Sequence, residues 1–361
     1  MTKRLKVGVL GATGMVGQRF VALLGNHPWF ELVAVAASPS SAGKMYADAV
    51  AGRWTPPTDI PDAACKLVVA DASDVARMAN QVDFVFCAVD LPKEQTAKLE
   101  EDYARAETPL ISNNSAHRWT PDVPMILPEI NADHAAIIDS QRKRLGTKRG
   151  FIAVKPNCSL QSYVPAIHPL RSFGPQRIAV STYQAVSGAG KTLESWPEMA
   201  DNVIPFIKDE ENKTEQEPLK IWGSIAGGKI EKAAAPAITA QCIRVPVSDG
   251  HMAAVFVAFE TKPTRDQILS AWQEYAGPPQ ALNLPSAPKP FLHYFEEDAR
   301  PQTRLDRDAG HGQAITIGRL RPDHVFDWKF VALSHNTVRG AAGGAVLMAE
   351  LLAAKNYLVA K

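Results

Sequence analysis

Length, composition and charge already exclude several classes of protein. The 361 residues allow two domains of about 150 residues each, with a sizeable core. Hydrophobic residues make up 46% and charged residues 21%, close to the averages of soluble globular proteins. The 39 basic and 38 acidic side chains leave a net charge of +1, which provides no field to attract nucleic acid or a membrane surface. We therefore expect no nucleic-acid partner and no membrane partner.

The N-terminal segment and the cysteines indicate the compartment. The first apolar run breaks at Gly11, before it reaches the length of a signal-peptide core. The four cysteines, Cys65, Cys87, Cys158 and Cys242, include no close pair of the kind found in zinc sites or redox motifs, so we expect no metal. A reducing, cytoplasmic location is expected.

The first half of the chain alternates strand and helix patterns, as a parallel sheet with crossover helices does. Strands are predicted at residues 6–10, 30–37, 65–69, 82–89 and 109–112, and helices at 15–24, 73–80 and 93–106. Ser73 is the candidate N-cap of the second helix. These elements predict a doubly wound, Rossmann-type α/β domain over residues 1–155.

After about residue 155 the chain becomes richer in strand patterns. Strands are predicted at 177–187, 238–247, 252–260, 314–320 and 328–333. The Ser-Asp-Gly-His sequence at 248–251 predicts a hairpin between the second and third of these. We expect an α+β catalytic and dimerisation domain over residues 156–335 with a mainly antiparallel sheet. Residues 208–220 and 278–290 are expected to be surface loops, and residues 336–361 a helix that joins the first domain.

A glycine-rich turn lies between the first predicted strand and the first predicted helix. Gly11, Gly14 and Gly17 are spaced three residues apart. Such glycines permit a tight turn, a close approach of backbone amides to a pyrophosphate, and close packing of helix on strand. The helix N-terminus adds partial positive charge. The pattern predicts a dinucleotide site, with a purely structural turn as the alternative.

The end of the second predicted strand favours NADP over NAD. NAD-binding proteins usually place Asp or Glu there, whereas this chain has the carboxylate-free sequence ASPSSAGK. A 2′-phosphate could accept hydrogen bonds from Ser38 and Ser41 and pair with Lys44. A solvated loop is the alternative interpretation.

Cys158 is the candidate nucleophile. It precedes an apolar-periodic helix, and we expect it in the first helical turn, where amide N–H groups and the helix dipole depress a thiol pKa. A thiol nucleophile needs a proton-transfer partner, and His251 follows a turn between two predicted strands. Arg244 lies on the incoming strand and could share that surface. A buried structural cysteine and an ordinary turn histidine are the alternatives.

Eight segments together resemble the aspartate-β-semialdehyde dehydrogenases of the archaeal and fungal branch. They are GATGMVGQRF at 11–20, SAGK at 41–44, SNNSAHR at 112–118, PNCS at 156–159, TYQAVSGAG at 182–190, EPLKIWG at 217–223, RVPVSDGH at 244–251 and HNTVRGAAGG at 335–344. The resemblance runs nearly end to end, with one departure at Ser40, a position that is often basic in relatives. It implies NADPH-dependent reduction of L-4-aspartyl phosphate through a cysteine thioacyl intermediate, by a homodimer or homotetramer.

The resemblance also implies roles for individual residues. The implied catalytic residues are Cys158 as nucleophile, His251 as acid/base and Gln184 as the group that orients the substrate. The implied substrate and phosphate contacts are Arg244 for the α-carboxylate, Glu217 for the amine, Arg118 and Lys220 for phosphate, and Asn157. The implied cofactor contacts are Gly11, Thr13, Gly14, Met15 and Val16 at the pyrophosphate, Ser38, Ser41 and Lys44 at the 2′-phosphate, and Ser187, Gly188 and Asn336. A malonyl-CoA reductase, an N-acetyl-glutamyl-phosphate reductase and a non-catalytic NADP-binding sensor remain alternatives.

Overall fold

The chain folds around two six-stranded sheets. The structure is a computed structural model that describes residues 4–361, so residues 1–3 of the predicted first domain lie outside it. The strands of the first sheet are β1 (Leu5–Leu10), β2 (Phe30–Ala37), β3 (Ala70–Asp71), β4 (Phe84–Cys87), β5 (Leu110–Ser112) and β6 (Ile152–Val154). They are all parallel, in the order β3-β2-β1-β4-β5-β6, which confirms the predicted doubly wound topology.

Apolar side chains cover both faces of this first sheet. Along β4, Phe84 and Phe86 enter one hydrophobic core while Val85 and Cys87 enter another. Burial on both faces explains why the strand is a continuous apolar run rather than an alternating one. The helices of this half are α1 (Met15–Leu24), α2 (Tyr46–Ala49), α3 (Asp62–Cys65), α4 (Val75–Gln81), α5 (Lys93–Arg105) and α6 (Ile138–Leu145).

The predicted strand at residues 65–69 is wrong. Pro61 precedes the short helix α3, which ends at Cys65, and Val68 forms only an isolated bridge to Met45. The strand that pairs with β2 is the two-residue β3 that follows. The predicted N-cap of the next helix is also wrong, because the Asp74 side chain accepts the Arg77 N–H while the Ser73 hydroxyl donates to a neighbouring aspartate.

The second sheet is mixed, with antiparallel pairing at its centre. Its strands are β7 (Pro175–Gln184), β10 (Ala237–Arg244), β11 (His251–Phe259), β12 (Leu292–Phe295), β13 (Ile315–Pro322) and β14 (Trp328–Ser334), and a separate exposed hairpin holds β8 (Ser224–Ala226) and β9 (Lys229–Glu231). In the order β10-β7-β11-β14-β13-β12, the three inner pairs are antiparallel and the two outer pairs are parallel.

The predicted hairpin between β10 and β11 is wrong, because β7 lies between these two strands. The segment that links them crosses the end of β7, where the Val245 N–H donates to the Gln184 carbonyl and the Val186 N–H donates to the Val247 carbonyl. The turn signal at 248–251 therefore marks a crossover rather than a hairpin. This crossover brings the ends of three strands together, which carry Gln184, Arg244 and His251.

The predicted loop at residues 208–220 is wrong as well. This segment forms the helix α8 (Glu210–Ile221), and its buried face includes Glu210, Thr214, Glu217 and Ile221. The spacing of these residues is helical, but three of the four are polar, so no apolar periodicity marks the helix in the sequence.

The remaining helices include one that returns to the first sheet. They are α7 (Val164–Ile167), α9 (Arg265–Glu274), α10 (Pro278–Ala281), α11 (Thr303–Asp306) and α12 (Gly343–Ala354). A π-helical turn at Val338–Ala342 precedes α12, which ends before residue 361 and packs in the same core as β1 and α1. Among residues 4–361, no helix has the length and apolar character needed to cross a bilayer.

Candidate active site

A cavity of about 700 Å³ opens at the carboxyl ends of the first sheet's strands. Gly11, Thr13 and Gly14 are among the residues that line it. Gly11 has φ +77°, and a Cβ on it would lie 2.3 Å from the Ala88 carbonyl oxygen. A Cβ on Gly17 would lie 2.0 Å from the Gly11 carbonyl oxygen. The glycine turn thus brings bare backbone to the mouth of a crevice at the point where the strand order reverses.

The first turn of α1 completes this glycine cradle. Gly14 is the N-cap, and Met15 and Val16 are the first helical residues. The first N–H groups of a helix have no intrahelical acceptor and carry partial positive charge. They are therefore available to the oxygens of a pyrophosphate.

The three residues predicted at the 2′-phosphate occupy different places. Ser38 lines the cavity, and its hydroxyl forms a 2.9 Å hydrogen bond with Ser40. Ser41 is 6% exposed, Lys44 is exposed, and neither lines the cavity. The opposite wall holds residues that sequence reasoning missed: Asp71, Ser73, Lys98 and Asp102. Nothing in their spacing singled them out, because they come from β3, the residues after it, and α5.

Cys158 belongs to a second group of candidate residues, which does not line this cavity. It begins a 3₁₀ turn at Ser159–Gln161 rather than an α-helix. Gly340 packs directly on it, since a Cβ on Gly340 would lie 2.8 Å from the Cys158 Cβ. Burial raises the pKa of the Cys158 thiol, and Glu210 adds to this, while Lys155, Arg118 and Arg244 act in the opposite direction. The expected net depression of this pKa by the helix dipole is therefore wrong.

His251 is fully buried and neutral. Its Nδ1 accepts the Ala185 N–H at 3.1 Å, which places the ring proton on Nε2. Burial, with the neighbouring Arg244 charge, lowers the pKa of His251 to about 3. The Nε2 atom has no hydrogen-bond partner within residues 4–361. It is thus a buried N–H donor with nothing in the described protein to donate to.

Arg244 and Gly188 lie beside His251. Arg244 Nη1 donates to the Ala185 carbonyl at 2.7 Å. A Cβ built on Gly188 would lie 2.8 Å from Arg244 Nη1 and 3.0 Å from His251 Nε2. The guanidinium, the imidazole and the bare backbone of residue 188 therefore face one small space. The Arg244 charge also favours the thiolate form of Cys158.

Glu217 joins Arg118 to the cysteine turn. Its Oε1 accepts from Arg118 Nη1 at 2.9 Å and its Oε2 accepts the Asn157 N–H at 2.6 Å, with the side chain fully buried. A carboxylate has about four acceptor sites, so Glu217 can accept further bonds. The fold thus brings together three residues that the resemblance assigns separately to substrate and phosphate contacts: Arg118, Glu217 and Asn157.

Lys220 is engaged with the backbone of the segment that carries Arg118. Its Nζ donates to the carbonyls of Arg118 at 2.7 Å, Thr120 at 3.0 Å and Val123 at 3.0 Å. Burial lowers the pKa of Lys220 to about 8. All three ammonium N–H groups are used, so in this structure Lys220 holds the Arg118 segment and has no N–H left for a phosphate.

Glu210 was missed by sequence reasoning because it lies in the predicted loop. Asn157 Nδ2 donates to its Oε1 at 2.9 Å, and Gln184 Nε2 donates to its Oε2 at 3.3 Å. One buried carboxylate thus orients the side-chain amides of both Asn157 and Gln184. The only available signal was its spacing of seven residues from Glu217, which puts both carboxylates on the same face of α8.

Asn336 connects the predicted cofactor contact Ser187 to the turn before His251. Its Nδ2 donates to Ser187 Oγ at 2.8 Å, and its Oδ1 accepts the Gly250 N–H at 2.8 Å. These bonds fix the strand ends that surround the sulfur. A thiol, a neutral N–H donor and a guanidinium with unused N–H groups, in a chain that also holds a dinucleotide crevice, are the parts of an oxidoreductase that works through an acyl-cysteine.

Comparison with known proteins agrees with this class. Two family models match, the semialdehyde dehydrogenase NAD binding domain at residues 6–138 and the semialdehyde dehydrogenase dimerisation domain at residues 167–339. The chain is 43% identical to the aspartate-semialdehyde dehydrogenase of Archaeoglobus fulgidus, over 97% of this chain and 98% of that protein. It is 41% identical to that of Aspergillus fumigatus, over 98% of each chain.

A solved structure gives the same result. The aspartate semialdehyde dehydrogenase of Candida albicans, a crystal structure with NADP, matches with a TM-score of 0.87 and 36% identity, over 98% of this chain and 100% of that one. The chain belongs to the aspartate-semialdehyde dehydrogenase family. The predicted family, the class of enzyme and the dinucleotide-binding first domain are thereby confirmed.

Proposed function

We propose that this chain catalyses the NADPH-dependent reductive dephosphorylation of L-4-aspartyl phosphate to L-aspartate-4-semialdehyde, a step toward lysine, methionine, threonine and isoleucine. The observation that supports the proposal is the pair of Arg244 and His251 around Gly188 at one end of the second sheet, with the Arg244 charge favouring the thiolate form of Cys158. The family membership supports the same reaction.

NADP is the cofactor that the crevice fits. The Gly11 turn has space for backbone but not for a Cβ, and the cavity beside it ends at Ser38 with no carboxylate on that strand end. Gly11, Gly14 and the first turn of α1 would hold the pyrophosphate, with Thr13, Met15 and Val16. When bound, NADPH supplies the hydride that reduces the acyl carbon. The NADP named for the Candida albicans relative supports this choice.

The substrate's amino-acid end would contact Arg244 and Glu217. Arg244 uses one N–H on the Ala185 carbonyl, which leaves the rest of its guanidinium for a bidentate bond to the α-carboxylate. Glu217 has acceptor capacity for the substrate amine beyond its bonds to Arg118 and Asn157.

Cys158 and His251 would divide the chemistry. The Cys158 thiolate attacks the acyl carbon, the bond to the phosphate oxygen breaks, and a thioester forms as phosphate leaves. Arg118 would balance the charge of the leaving phosphate. Lys220 holds the backbone around Arg118. The neutral His251 Nε2–H can donate a hydrogen bond to the oxygen that becomes anionic during reduction. This bond would stabilise the tetrahedral oxyanion until it collapses to the aldehyde and expels the Cys158 sulfur as a thiolate.

We propose a homodimer as the assembly, because the second domain matches a dimerisation domain. A homotetramer built from two such dimers is the alternative, and multi-angle light scattering of the purified chain distinguishes them.

We also propose a cytoplasmic location, which fits four free cysteines. We propose domain limits at residues 1–155 and 156–335, with residues 336–361 returned to the first domain.

The reverse reaction tests the proposal. Aspartate semialdehyde, phosphate and NADP⁺ are mixed with the enzyme and NADPH is followed at its absorbance band. Cys158→Ala is expected to retain NADPH binding and lose several orders of magnitude in turnover. Arg244→Lys is expected to raise KM for the semialdehyde, because a bidentate fork becomes a point charge. No turnover by the wild type with this substrate, together with reduction of malonyl-CoA or an acetylated glutamyl phosphate, would contradict the aspartyl assignment.

A further inference from the structure

The side-chain amide of Gln184 uses both of its N–H groups inside the protein. Gln184 is buried at the carboxyl end of β7. Its Nε2 donates to Thr182 Oγ1 at 3.2 Å and to Glu210 Oε2 at 3.3 Å. Within residues 4–361, no N–H or O–H group donates to its Oε1. The free group of this amide is therefore the carbonyl oxygen, which can only accept a hydrogen bond.

Glu210 leaves the Gln184 amide no other orientation, because the oxygens of an ionised carboxylate only accept. The Oε1 atom of Glu210 forms an ion pair with Lys213 Nζ at 3.1 Å and also accepts from Asn157 Nδ2 at 2.9 Å. The group that lies 3.3 Å from Oε2 must then be the NH2 group of Gln184 and not its carbonyl oxygen. The charge of Glu210 thus decides which end of the amide stays free.

The second amide on Glu210 is fixed independently. Asn157 Oδ1 accepts the backbone N–H of Ser159 at 2.7 Å and the Ser159 hydroxyl at 2.7 Å. A backbone N–H can only donate, so the Asn157 side chain cannot turn over and its Nδ2 must face Glu210. The Oε1 position of residue 210 therefore has to be an acceptor, and the Oε2 position alone sets the direction of Gln184.

The Gln184 amide lies between the cysteine turn and the proposed carboxylate-binding group. The shared carboxylate links it to Asn157, the residue before Cys158. The next residue along the chain, Ala185, accepts from Arg244 Nη1 at 2.7 Å. A substrate held by Cys158 and Arg244 would therefore lie beside this amide.

We propose that Glu210 is a positioning residue that turns the Gln184 amide so that its carbonyl oxygen, and not its NH2 group, faces the substrate. The inference rests on the proposed function and on the substrate-orienting role that the family resemblance implies for Gln184. In L-4-aspartyl phosphate at neutral pH, the carboxylate, the acyl oxygen and the phosphate accept hydrogen bonds, and the α-ammonium group donates them. Gln184 would therefore share the α-ammonium group with Glu217 rather than contact the acyl oxygen.

A charge exchange between residues 184 and 210 tests this orientation. In Glu210→Gln, the new carbonyl oxygen must take the Oε1 position, because Asn157 Nδ2 and Lys213 Nζ both donate there. The new NH2 group then faces Gln184 and reverses its amide, so kcat/KM for aspartate semialdehyde is expected to fall about 10-fold to 100-fold. Adding Gln184→Glu returns an acceptor to the substrate side, and the Thr182 hydroxyl can turn to donate to it. The double variant is expected to recover most of the lost activity.

Asp209→Asn is the matched control for the loss of a carboxylate. Asp209 is exposed, lies next to Glu210 and makes no capping hydrogen bond, so we expect unchanged kinetics. A double variant no more active than Glu210→Gln alone would overturn the proposal, since an acceptor at residue 184 would then be of no use to the substrate.

The melting temperature provides a second measurement, which needs no substrate. Gln184→Glu alone places two carboxylates at the 3.3 Å contact with no donor between them, so its melting temperature is expected to fall by about 2 °C or more. Adding Glu210→Gln should restore the melting temperature. If Gln184→Glu does not fold, a folded double variant shows the same dependence and an unfolded one refutes it.

An unchanged melting temperature in Gln184→Glu would mean that Glu210 holds a proton and can donate it, which would overturn the assigned orientation. A failure of the aspartyl assignment gives a different result, because the wild type would then not turn over aspartate semialdehyde while the melting temperatures still report on the two residues.

Discussion

Gly188→Ala tests whether the geometry around His251 and Arg244 governs activity. The new methyl would lie 2.8 Å from Arg244 Nη1 and 3.0 Å from His251 Nε2, against 3.4 Å or more for ordinary contacts. Relief requires a shift of roughly 0.5 Å by one of the two groups. Ala185 holds both groups, because its carbonyl accepts from Arg244 and its N–H donates to His251. A shift of either group therefore strains a buried hydrogen bond.

We expect kcat/KM for aspartate semialdehyde to fall about 10-fold to 100-fold, because displacements on the order of 1 Å cost that much at a catalytic site. This corresponds to roughly 1.4 to 2.7 kcal/mol of transition-state stabilisation. The assay is the reverse reaction at saturating NADP⁺ and phosphate. The free energy of unfolding should fall by no more than about 1 kcal/mol, the typical net contribution of one hydrogen bond, because residue 188 itself is exposed.

Ala189→Ser is the control, since that side chain is exposed and adjacent. Gly188→Ala kinetics equal to those of this control would refute the idea that residue 188 packs on the substrate-binding groups. A loss of activity accompanied by an equal loss of stability would point to the fold rather than the site.

Three further tests concern Lys220, the Ser38–Lys44 segment and His168. Lys220→Met leaves three carbonyls without their ammonium, so we expect a loss of about 3 kcal/mol or more in urea unfolding; a raised KM for phosphate with unchanged stability would instead favour direct phosphate contact. Ser38→Asp is expected to lower the preference for NADP⁺ over NAD⁺ by about 10-fold, because a carboxylate repels a 2′-phosphate. Lys44→Glu should lower this preference much less, since Lys44 does not line the cavity. The reverse ranking of the two variants in kcat/KM ratios would contradict this placement. Burial lowers the pKa of His168 to about 4. Below the ordinary histidine pKa of 6.5, the unfolded state therefore binds more protons than the folded state. The contribution of neutral His168 to stability is complete above pH 6.5 and is lost as the pH falls toward 4. Relative to His168→Phe, the wild type should therefore lose about 2 kcal/mol in its free energy of unfolding between pH 7 and pH 5, and parallel pH profiles would exclude the buried neutral histidine.

The first sheet and its glycine turn could be predicted because their signals are local. Gly11 combines a positive φ with a close approach of the Ala88 backbone that excludes a Cβ, and the apolar run of β4 is buried on both faces, so each leaves a mark in its own few residues. The order of strands in the second sheet leaves no such mark. The turn at 248–251 is compatible with a hairpin, and only long-range pairing inserts β7 between the two strands it joins.

What the sequence determines by itself is which residues are present for chemistry: a cysteine after a strand, a histidine after a turn, and a glycine cradle before a helix. What only the tertiary structure decides is their electrostatic state. The thiol pKa depends on burial, on the neighbouring Lys155, and on Arg118, Glu210 and Arg244, which the fold brings from three distant stretches of chain. Likewise Glu217 and Lys220 are buried only because α8, whose inner face is largely polar, docks against the cysteine turn. Charge and solvation act through space, so they follow from the packed fold and not from the order of residues along the chain.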